Sequence, residues 1–371
     1  MPGQIHPITE RLWLIEGGLL AAHWGLPEAD NAFLYQVDDR LYLLDSGMGA
    51  EMRAAIEQQL MAIGPAGSFT LLNSSCHASR TGNNDLIHNV LATEKRHVTG
   101  SPCSLAAVEN LSQRLYNLSR YIDPLQTLEG AALRQFGMRC LREILAAFIG
   151  QKKALHLIVS LAARRWPPLH PSPDTAVPLA PESIETLEIG GTAWQGWRLG
   201  PDDVWALQAG PDLWFYLPGK KALLAADWQD SFSAAWPEPV SRPPTDLLEA
   251  LTAILKAGAV DILLDSQSPE ALLNLETAQQ TAEQLFFRHQ GLQQALEAVL
   301  KREPGLTVRK LYRRLRKLRH RPAVAWYMDA PLPASLTGFE QVMVARLLGM
   351  NCRVKGLWRR KRFYLPASDQ S

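Results

Sequence analysis

The sequence predicts a mixed α/β (α+β) protein in which two layered sheets are covered by helices in four αββα layers, followed by a small C-terminal domain. Strand-like segments come first, a helix follows, further strands come next, and helices close the chain. That order is typical of two packed sheets with outer helices. The 371 residues, of which 47% are hydrophobic and 20% charged, indicate a globular chain of two to three domains. This composition excludes a disordered tail, a collagen and a coiled-coil rod.

Hydrophobic alternation and turn residues define the N-terminal elements. Residues 32–44 read as a hairpin, because two apolar runs flank the turn Asp38-Asp39. A helix is predicted over residues 50–63, after the sequence DSGMG. Residues 69–73 form a short strand that ends in a polar run, and another helix is predicted from Asp85.

The middle of the chain combines an insertion with a second set of strands. Residues 104–163 have helical periodicity and lead into a proline-rich connector, so 104–183 is predicted to be a mostly helical insertion. Further strands are expected at residues 184–189, 192–198, 204–208, 213–217, 222–225 and 261–264, and helices at 245–257 and 269–300. Two more helices, at 307–320 and 337–348, precede two short strands around residues 352–355 and 362–365, the outline of a winged helix.

Positive charge is concentrated near the end of the chain. Residues 301–362 contain 17 Lys and Arg against three acidic residues, although the whole chain carries a net charge of only +1. The first cluster lies on one predicted helix and the second on the predicted wing: Arg309, Lys310, Arg313, Arg314, Arg316 and Lys317, then Arg359, Arg360, Lys361 and Arg362. Such a surface favours nucleic-acid phosphates. A solvated face, or a patch for an acidic partner, is the alternative.

The cysteines, the apolar stretches and the N-terminus indicate where in the cell the protein is expected. The four cysteines form no CxxC pair, which indicates free thiols in a reducing compartment. No apolar stretch is long and uncharged enough to cross a bilayer, and the N-terminus lacks the pattern of a signal peptide. We therefore expect a cytoplasmic protein without a membrane span.

Four segments together resemble the metallo-β-lactamase superfamily. Residues 31–47 (NAFLYQVDDRLYLLDSG) are similar to its opening hairpin, and residues 71–87 (LLNSSCHASRTGNNDLI) to its metal loop, S/T-H-x-H-x-D-H-x-G-x-N. Residues 212–227 resemble the later hairpin that ends in a metal-bridging Asp, and residues 263–269 a late turn. The resemblance implies a four-layer αββα sandwich over residues 1–296, with a helical insertion at 104–183, and a basic winged-helix-like domain over 297–371.

Members of this superfamily hold one or two zinc, iron or manganese ions, and most are hydrolases. The metal lowers the pKa of a bound water and so makes a hydroxide nucleophile. The ligand positions implied by the resemblance fall at Ser75, His77, Ser79, Arg80, Gln208, Asp227 and Gln267. Only His77 and Asp227 keep a ligating residue type, which is too few for a catalytic zinc site.

The resemblance therefore predicts a pseudoenzyme without a metal cofactor. The always-charged guanidinium of Arg80 is expected to fill the vacated space and pair with Asp227. A protein partner or a small acyl or thioester-like ligand would then occupy the old cleft. The alternatives are an atypical thioester or ester hydrolase that uses His77 and Asp227 with a weakly bound divalent metal or none, and a nucleic-acid-binding protein. His77 can also be a hydrogen-bonded remnant without function.

Overall fold

The chain divides into two compact units. The sandwich unit comprises Met1–Asn110, Ala163–Asp227 and Ala250–Gln279, and the helical unit comprises Leu111–Ala162, Trp228–Glu249 and Gln280–Ser371. The computed structural model describes residues 3–19, 28–75, 78–99, 112–113, 116–117, 119, 121, 138–163, 176–200, 204–209, 212–226, 228, 244–266, 272–329, 343–344, 346–348, 350–356 and 361–366. The predicted domain boundary between residues 296 and 297 stays a prediction.

The described residues form strands and helices in the following chain order. The strands are β1 (Ile5–Thr9), β2 (Leu12–Ile15), β3 (Gly18–Leu19), β4 (Glu28–Ala29), β5 (Ala32–Val37), β6 (Arg40–Leu44), β7 (Ala66–Asn73), β8 (Ala92–Thr99), β9 (Ala176–Pro178), β10 (Glu185–Ile189), β11 (Thr192–Arg198), β12 (Trp205–Ala209), β13 (Asp212–Leu217), β14 (Ala222–Leu224), β15 (Ile262–Leu264), β16 (Leu272–Leu273), β17 (Arg353–Lys355) and β18 (Arg362–Tyr364). The helices are α1 (Ala50–Ile63), α2 (Ala78–Thr81), α3 (Met138–Ile149), α4 (Gln151–Ala163), α5 (Pro244–Lys256), α6 (Leu275–Arg302), α7 (Val308–Arg316) and α8 (Pro322–Asp329).

Two sheets form the sandwich. Within the described residues the first runs β1-β2-β5-β6-β7-β8-β9 and the second runs β10-β11-β12-β13-β14-β15-β16. The strands β6, β7, β8 and β9 are mutually parallel, whereas the hairpin β5–β6 is antiparallel. The parallel strands therefore deliver their C-terminal ends to one edge of the first sheet.

Side chains alternate between two cores, as the two-residue period of a strand requires. On β6, Leu41 and Leu43 join the core that faces α1, while Tyr42 and Leu44 face the second sheet. The second sheet contributes Trp197, Ala206, Phe215, Leu217 and Leu224 to the inter-sheet core. Both faces of the first sheet are thus buried, which fits a sheet with a helix on one side and a sheet on the other.

The outer layers are α1 and α5. On α1, the buried residues Met52, Ala55, Ile56 and Leu60 recur at three- and four-residue spacing, which gives the helix one apolar face. The end of α5 lies against the turn between β10 and β11, where Gly190 has φ +57° and a Cβ would come within 2.8 Å of the Ala257 Cβ. The predicted four-layer αββα order is therefore confirmed.

The helical unit has its own apolar core. Its members come from α6, α7, α8, the helical residues 343–344 and 346–348, and the hairpin β17–β18, and include Leu296, Leu311, Leu315, Val324 and Phe363. An isolated β-bridge pairs Leu306 with Phe363, so a residue just before α7 is tied to β18. This arrangement puts α7 and the hairpin on one packed body.

A polar cluster is buried in that unit. Burial holds the pKa of His289 well below its usual range, so its ring is neutral. The Tyr327 hydroxyl is hydrogen-bonded to Nδ1 of His289, and Nη2 of Arg346 lies 2.6 Å from the same nitrogen. Burial also raises the pKa of Tyr327, so the phenol keeps its proton. Nδ1 of the neutral imidazole therefore lies against both the phenol of Tyr327 and the guanidinium of Arg346.

Some elements differ from the sequence prediction. The hairpin at residues 32–44 and the helix at 50–63 are confirmed. The helix predicted from residue 269 begins at Leu275, because Leu272–Leu273 pairs with β15 as a strand. No helix of the described residues is both long and apolar enough to cross a membrane.

Candidate functional site

The candidate site lies at the C-terminal edge of the parallel strands in the sandwich unit. The register pairs Leu44 of β6 with Leu72 of β7, and Asn73 with Thr99 of β8. Asp45 follows β6 directly, in the left-handed region at φ +58°. Strained backbone of this kind persists only where the surroundings fix it.

Arg80, on α2, is the centre of the site. Its side chain is fully buried, and its Nε donates a 2.6 Å hydrogen bond to Oδ2 of Asp30, whose side chain is 8% exposed. Its Nη1 lies 3.1 Å from the hydroxyls of Ser74 and Ser75. The Ser79 hydroxyl donates to the same Asp30 oxygen at 3.0 Å. The guanidinium is thus held by a carboxylate and two hydroxyls, which is the pairing that a buried charge requires.

A second carboxyl group lies behind Ser74. Asp45 accepts hydrogen bonds from the Ser74 backbone N–H at 2.8 Å and from its hydroxyl at 2.7 Å. Burial raises the pKa of Asp45 to about 7, although the Arg80 guanidinium and the Ser74 hydrogen bonds act in the opposite direction. Ser74 therefore links Asp45 to Arg80, which in turn pairs with Asp30.

The backbone of Arg80 is fixed as firmly as its side chain. Its carbonyl accepts hydrogen bonds from the backbone N–H and the hydroxyl of Ser46, and from the Asn73 amide. The Asn84 side chain bonds Ser46 and Asn73, and Nε2 of His97 lies 2.6 Å from Oδ1 of Asn73. This buried amide and hydroxyl network ties the loops after β6 and β7 together.

The described residues do not fit a divalent metal ion. Arg80, which the sequence resemblance aligned with a metal ligand, is a buried cation, and the hydroxyl of Ser75, another aligned position, contacts that same cation. Within the described ranges, no three His, Cys, Asp or Glu side chains are grouped as a metal site. A guanidinium repels any cation placed beside it.

The predicted ligand positions are only partly within the described residues. Ser75, Ser79 and Arg80 are brought together, whereas Gln208 is half-buried on β12 and pairs with Leu213 in the strand register. The positions that lie outside the described residues are His77, Asp227 and Gln267. The Arg80–Asp227 contact therefore stays a prediction, while the carboxylate that the structure places on Arg80 is Asp30.

Asp30 and His97 are site residues that the sequence analysis missed. Asp30 directly precedes the matched segment 31–47, next to Asn31, whose amide bonds the Asp265 carbonyl beyond β15. No local signal in the sequence pointed to Asp30, because it lies fifty residues from Arg80 in the chain. The sequence offered no partner for His97, because its contacts come from loops distant in the chain.

The basic residues lie on the surface of the helical unit. Six of them are exposed along α7 and at its end: Arg309, Lys310, Arg313, Arg314, Arg316 and Lys317. On the hairpin, Arg362 is exposed and Nζ of Lys361 lies 4.6 Å from the ring centre of Tyr121. Arg359 and Arg360 lie outside the described residues.

Comparison with known proteins supports the architecture. No protein-family model matches the chain, and no curated protein does. Solved structures do match. A β-lactamase domain protein from Burkholderia ambifaria is 12% identical, with 99% of this chain and 95% of that chain covered and a TM-score of 0.50. A metallo-β-lactamase family protein from Thermus thermophilus is 19% identical, with 97% and 100% covered and a TM-score of 0.44.

A stereoselective inverting sec-alkylsulfatase from Pseudomonas sp. is 13% identical, with 92% of this chain and 49% of that chain covered and a TM-score of 0.45. At these identities the likeness shows the fold alone. The αββα layers, the two seven-stranded sheets of the described residues and the match to the Burkholderia protein together show that this chain has the metallo-β-lactamase fold.

Proposed function

We propose that this protein acts by binding, as a scaffold or regulator, and is not a metallohydrolase. The observation that carries the proposal is the buried Arg80 guanidinium, already bonded to Asp30, Ser74 and Ser75, at a position that the resemblance aligns with a metal ligand. A catalytic metal site needs about three protein ligands and an open water position. Here the Asp30 carboxylate and the two serine hydroxyls are bonded to the guanidinium of Arg80 instead.

The positive charge of Arg80 opposes the binding of a metal ion beside it. A divalent ion about 5 Å from a guanidinium would be repelled by roughly 7 kcal/mol at an effective dielectric constant of about 20. That value is an upper bound, because the Asp30 carboxylate, 2.6 Å from Nε of Arg80, attracts a dication and offsets part of the repulsion. Each 1.4 kcal/mol that remains weakens metal binding about tenfold. His77 and Asp227 would also supply fewer ligands than the roughly three that a catalytic site needs.

The hydrogen bonds that hold the strand-end loops support a binding role. Hydrogen bonds of Asp45, Ser74 and Asn84 tie the strand-end loops to one another. Fixed loops on a rigid scaffold are the usual place for recognition of a ligand or partner. We propose a protein partner or a small acyl or thioester-like ligand as the occupant of this surface.

Metal content tests the proposal directly. The protein is purified without an affinity metal and without a chelator, and zinc, iron and manganese are measured per chain. We expect less than about a tenth of an equivalent of these metals together, because a working site normally retains its ion. We also expect the same melting temperature with chelator and with added zinc.

Hydrolysis of thioester, ester and phosphodiester substrates is measured on the same preparation, with and without added metal. We expect none above the background of an Asp227→Asn variant. About one equivalent of metal, or turnover that Asp227→Asn abolishes, would contradict the proposal. Metal-free turnover that depends on His77 would favour the atypical hydrolase instead.

A further inference from the structure

The helix α7 has one buried side and one strongly basic side. Val308, Leu311 and Leu315 are 4%, 0% and 0% exposed and pack into the core of the helical unit. The opposite side carries five exposed cations, which we call the basic face: Arg309, Lys310, Arg313, Arg316 and Lys317. Since the apolar residues fully account for packing, the basic face is not needed to hold the helix in place.

The charge of the basic face is not neutralised by the described residues. Its neighbour Arg314 pairs with Glu303, at 2.7 Å between Nη2 and Oε2. In the described part of the chain no acidic side chain forms an ion pair with the five residues of the basic face. Uncompensated cations so closely spaced repel one another, which favours a polyanionic partner.

The hairpin β17–β18 adds further cations on the same packed body. Phe363 of β18 is fully buried and bridges to Leu306, just before α7. The exposed residues of the two strands include Arg353, Lys355 and Arg362. A basic helix and a basic hairpin therefore share one apolar core.

We propose that the basic face binds the phosphodiester backbone of double-stranded nucleic acid. Arg309, Arg313 and Lys317 are four residues apart, so each step along the helix rises about 6 Å. Phosphates of one strand recur every ~3.4 Å along a duplex axis, so each step spans about two of them. Arginine also binds phosphate oxygens in a bidentate manner. The winged-helix-like assignment of residues 297–371 is part of this proposal.

The exposed side of α7 favours a duplex over the other polyanions. A helix that binds an anionic membrane inserts apolar residues, but those of α7 are buried in the core. Single-strand binding uses exposed aromatic rings for base stacking. The one aromatic residue of α7, Tyr312, is only half-exposed and packs against the core. The exposed side of α7 therefore offers positive charge, but no aromatic ring for base stacking and no apolar residue for insertion into a membrane.

The proposal concerns the helical unit and does not depend on whether the strand-end loops of the sandwich unit bind a metal. The full-length chain is titrated into a fluorescent 20-base-pair DNA duplex, and in parallel into an RNA duplex and a single strand of equal length. Anisotropy is recorded between 50 and 200 mM salt. We expect stronger binding to the duplexes, and an affinity that falls steeply with salt.

A matched pair of variants locates the contact. Arg313→Gln/Lys317→Gln removes two charges from the basic face, and Lys152→Gln/Lys153→Gln removes two exposed charges from α4. The first variant should reduce the slope of log affinity against log salt by about 1.8, and the affinity roughly 60-fold at 0.1 M salt, since each phosphate contact contributes about 0.9. The second should behave as the wild type.

The proposal is overturned by no duplex binding at 50 mM salt, by equal losses in both variants, or by binding to anionic phospholipid vesicles without binding to duplexes. Preference for the single strand would also overturn it. The melting temperatures of both variants should match that of the wild type, because all four side chains are exposed.

Discussion

Replacement of Arg80 by methionine tests the structural role of the buried cation. The change removes the 2.6 Å bond to Asp30 and leaves a carboxylate, 8% exposed, without its counter-ion. Removal of one partner of a buried pair destabilises a protein by about 3–5 kcal/mol. We expect a loss of that size in the free energy of unfolding, measured by urea denaturation at pH 8.

The second half of a double-mutant cycle separates the charge from the packing. Asp30→Asn in the Arg80→Met background removes the unpaired carboxylate, so the double variant should be more stable than Arg80→Met alone by about 1–3 kcal/mol. The Arg80→Met deficit should also shrink at pH 5, where a buried and unpaired Asp30 takes up a proton. A loss under about 1 kcal/mol at pH 8, or strict additivity of the two changes, would refute the reasoning.

Three further substitutions test other groups. Burial raises the folded-state pKa of Asp45 from 3.8 to about 7. Its contribution to stability is therefore complete below about pH 4 and lost as the pH rises to 7. Asp45→Asn should remove that decline, about 1.4 kcal/mol per pH unit at most, which urea titrations between pH 4 and 8 measure. Tyr327→Phe should cost about 1–3 kcal/mol in unfolding free energy, because it removes the buried hydroxyl bonded to His289. Arg80→His should still bind less than about a tenth of an equivalent of zinc by elemental analysis, since Ser75 and Ser79 supply only weak hydroxyl ligands.

The controls differ among these tests. For Asp45→Asn, an exposed carboxylate such as Glu51 is changed to Gln, and its pH profile should follow the wild type. A wild-type profile for Asp45→Asn would show that Asp45 is ionised throughout. For Tyr327, the partly buried Tyr312 is changed to Phe as a comparison, and equal costs would argue against a special role of the buried hydroxyl. Stoichiometric zinc in Arg80→His would mean that His77 and Asp227 form a site after all.

The sandwich could be predicted because its strands are short apolar runs bounded by turns. Both faces of β5 and β6 are buried, so each strand reads as one apolar run, and the turn Asp38-Asp39 separates the two runs. The strand β8 was missed because Glu94, Lys95 and Arg96 are exposed and hide the pattern. Its place is fixed by parallel pairing with β7, which no local signal encodes. The two-residue strand β16 was missed because it is defined only by its pairing with β15.

The site was predictable in position but not in its contacts. The loop after β7 could be located because its frame, from Asn73 to Asn84, follows the pattern of the superfamily. The partner of Arg80 could not be chosen from sequence, because Asp30 lies fifty residues away and reaches the loop only through the sheet. The raised pKa of Asp45 could not be predicted from sequence either, because it results from burial by the packed layers around the residue.

The geometry around Arg80 shows how the described strand-end loops are held together. A metal ion orders such loops by drawing ligands from several of them to one point, and its removal releases them. Arg80 does the same from both ends: its carbonyl is bonded by Ser46 and Asn73, and its guanidinium by Asp30 and Ser74. Because this cation is part of the chain, it cannot be lost to a chelator or exchanged. The loops after β6 and β7 are therefore held to each other and to Asp30 by groups of the chain itself.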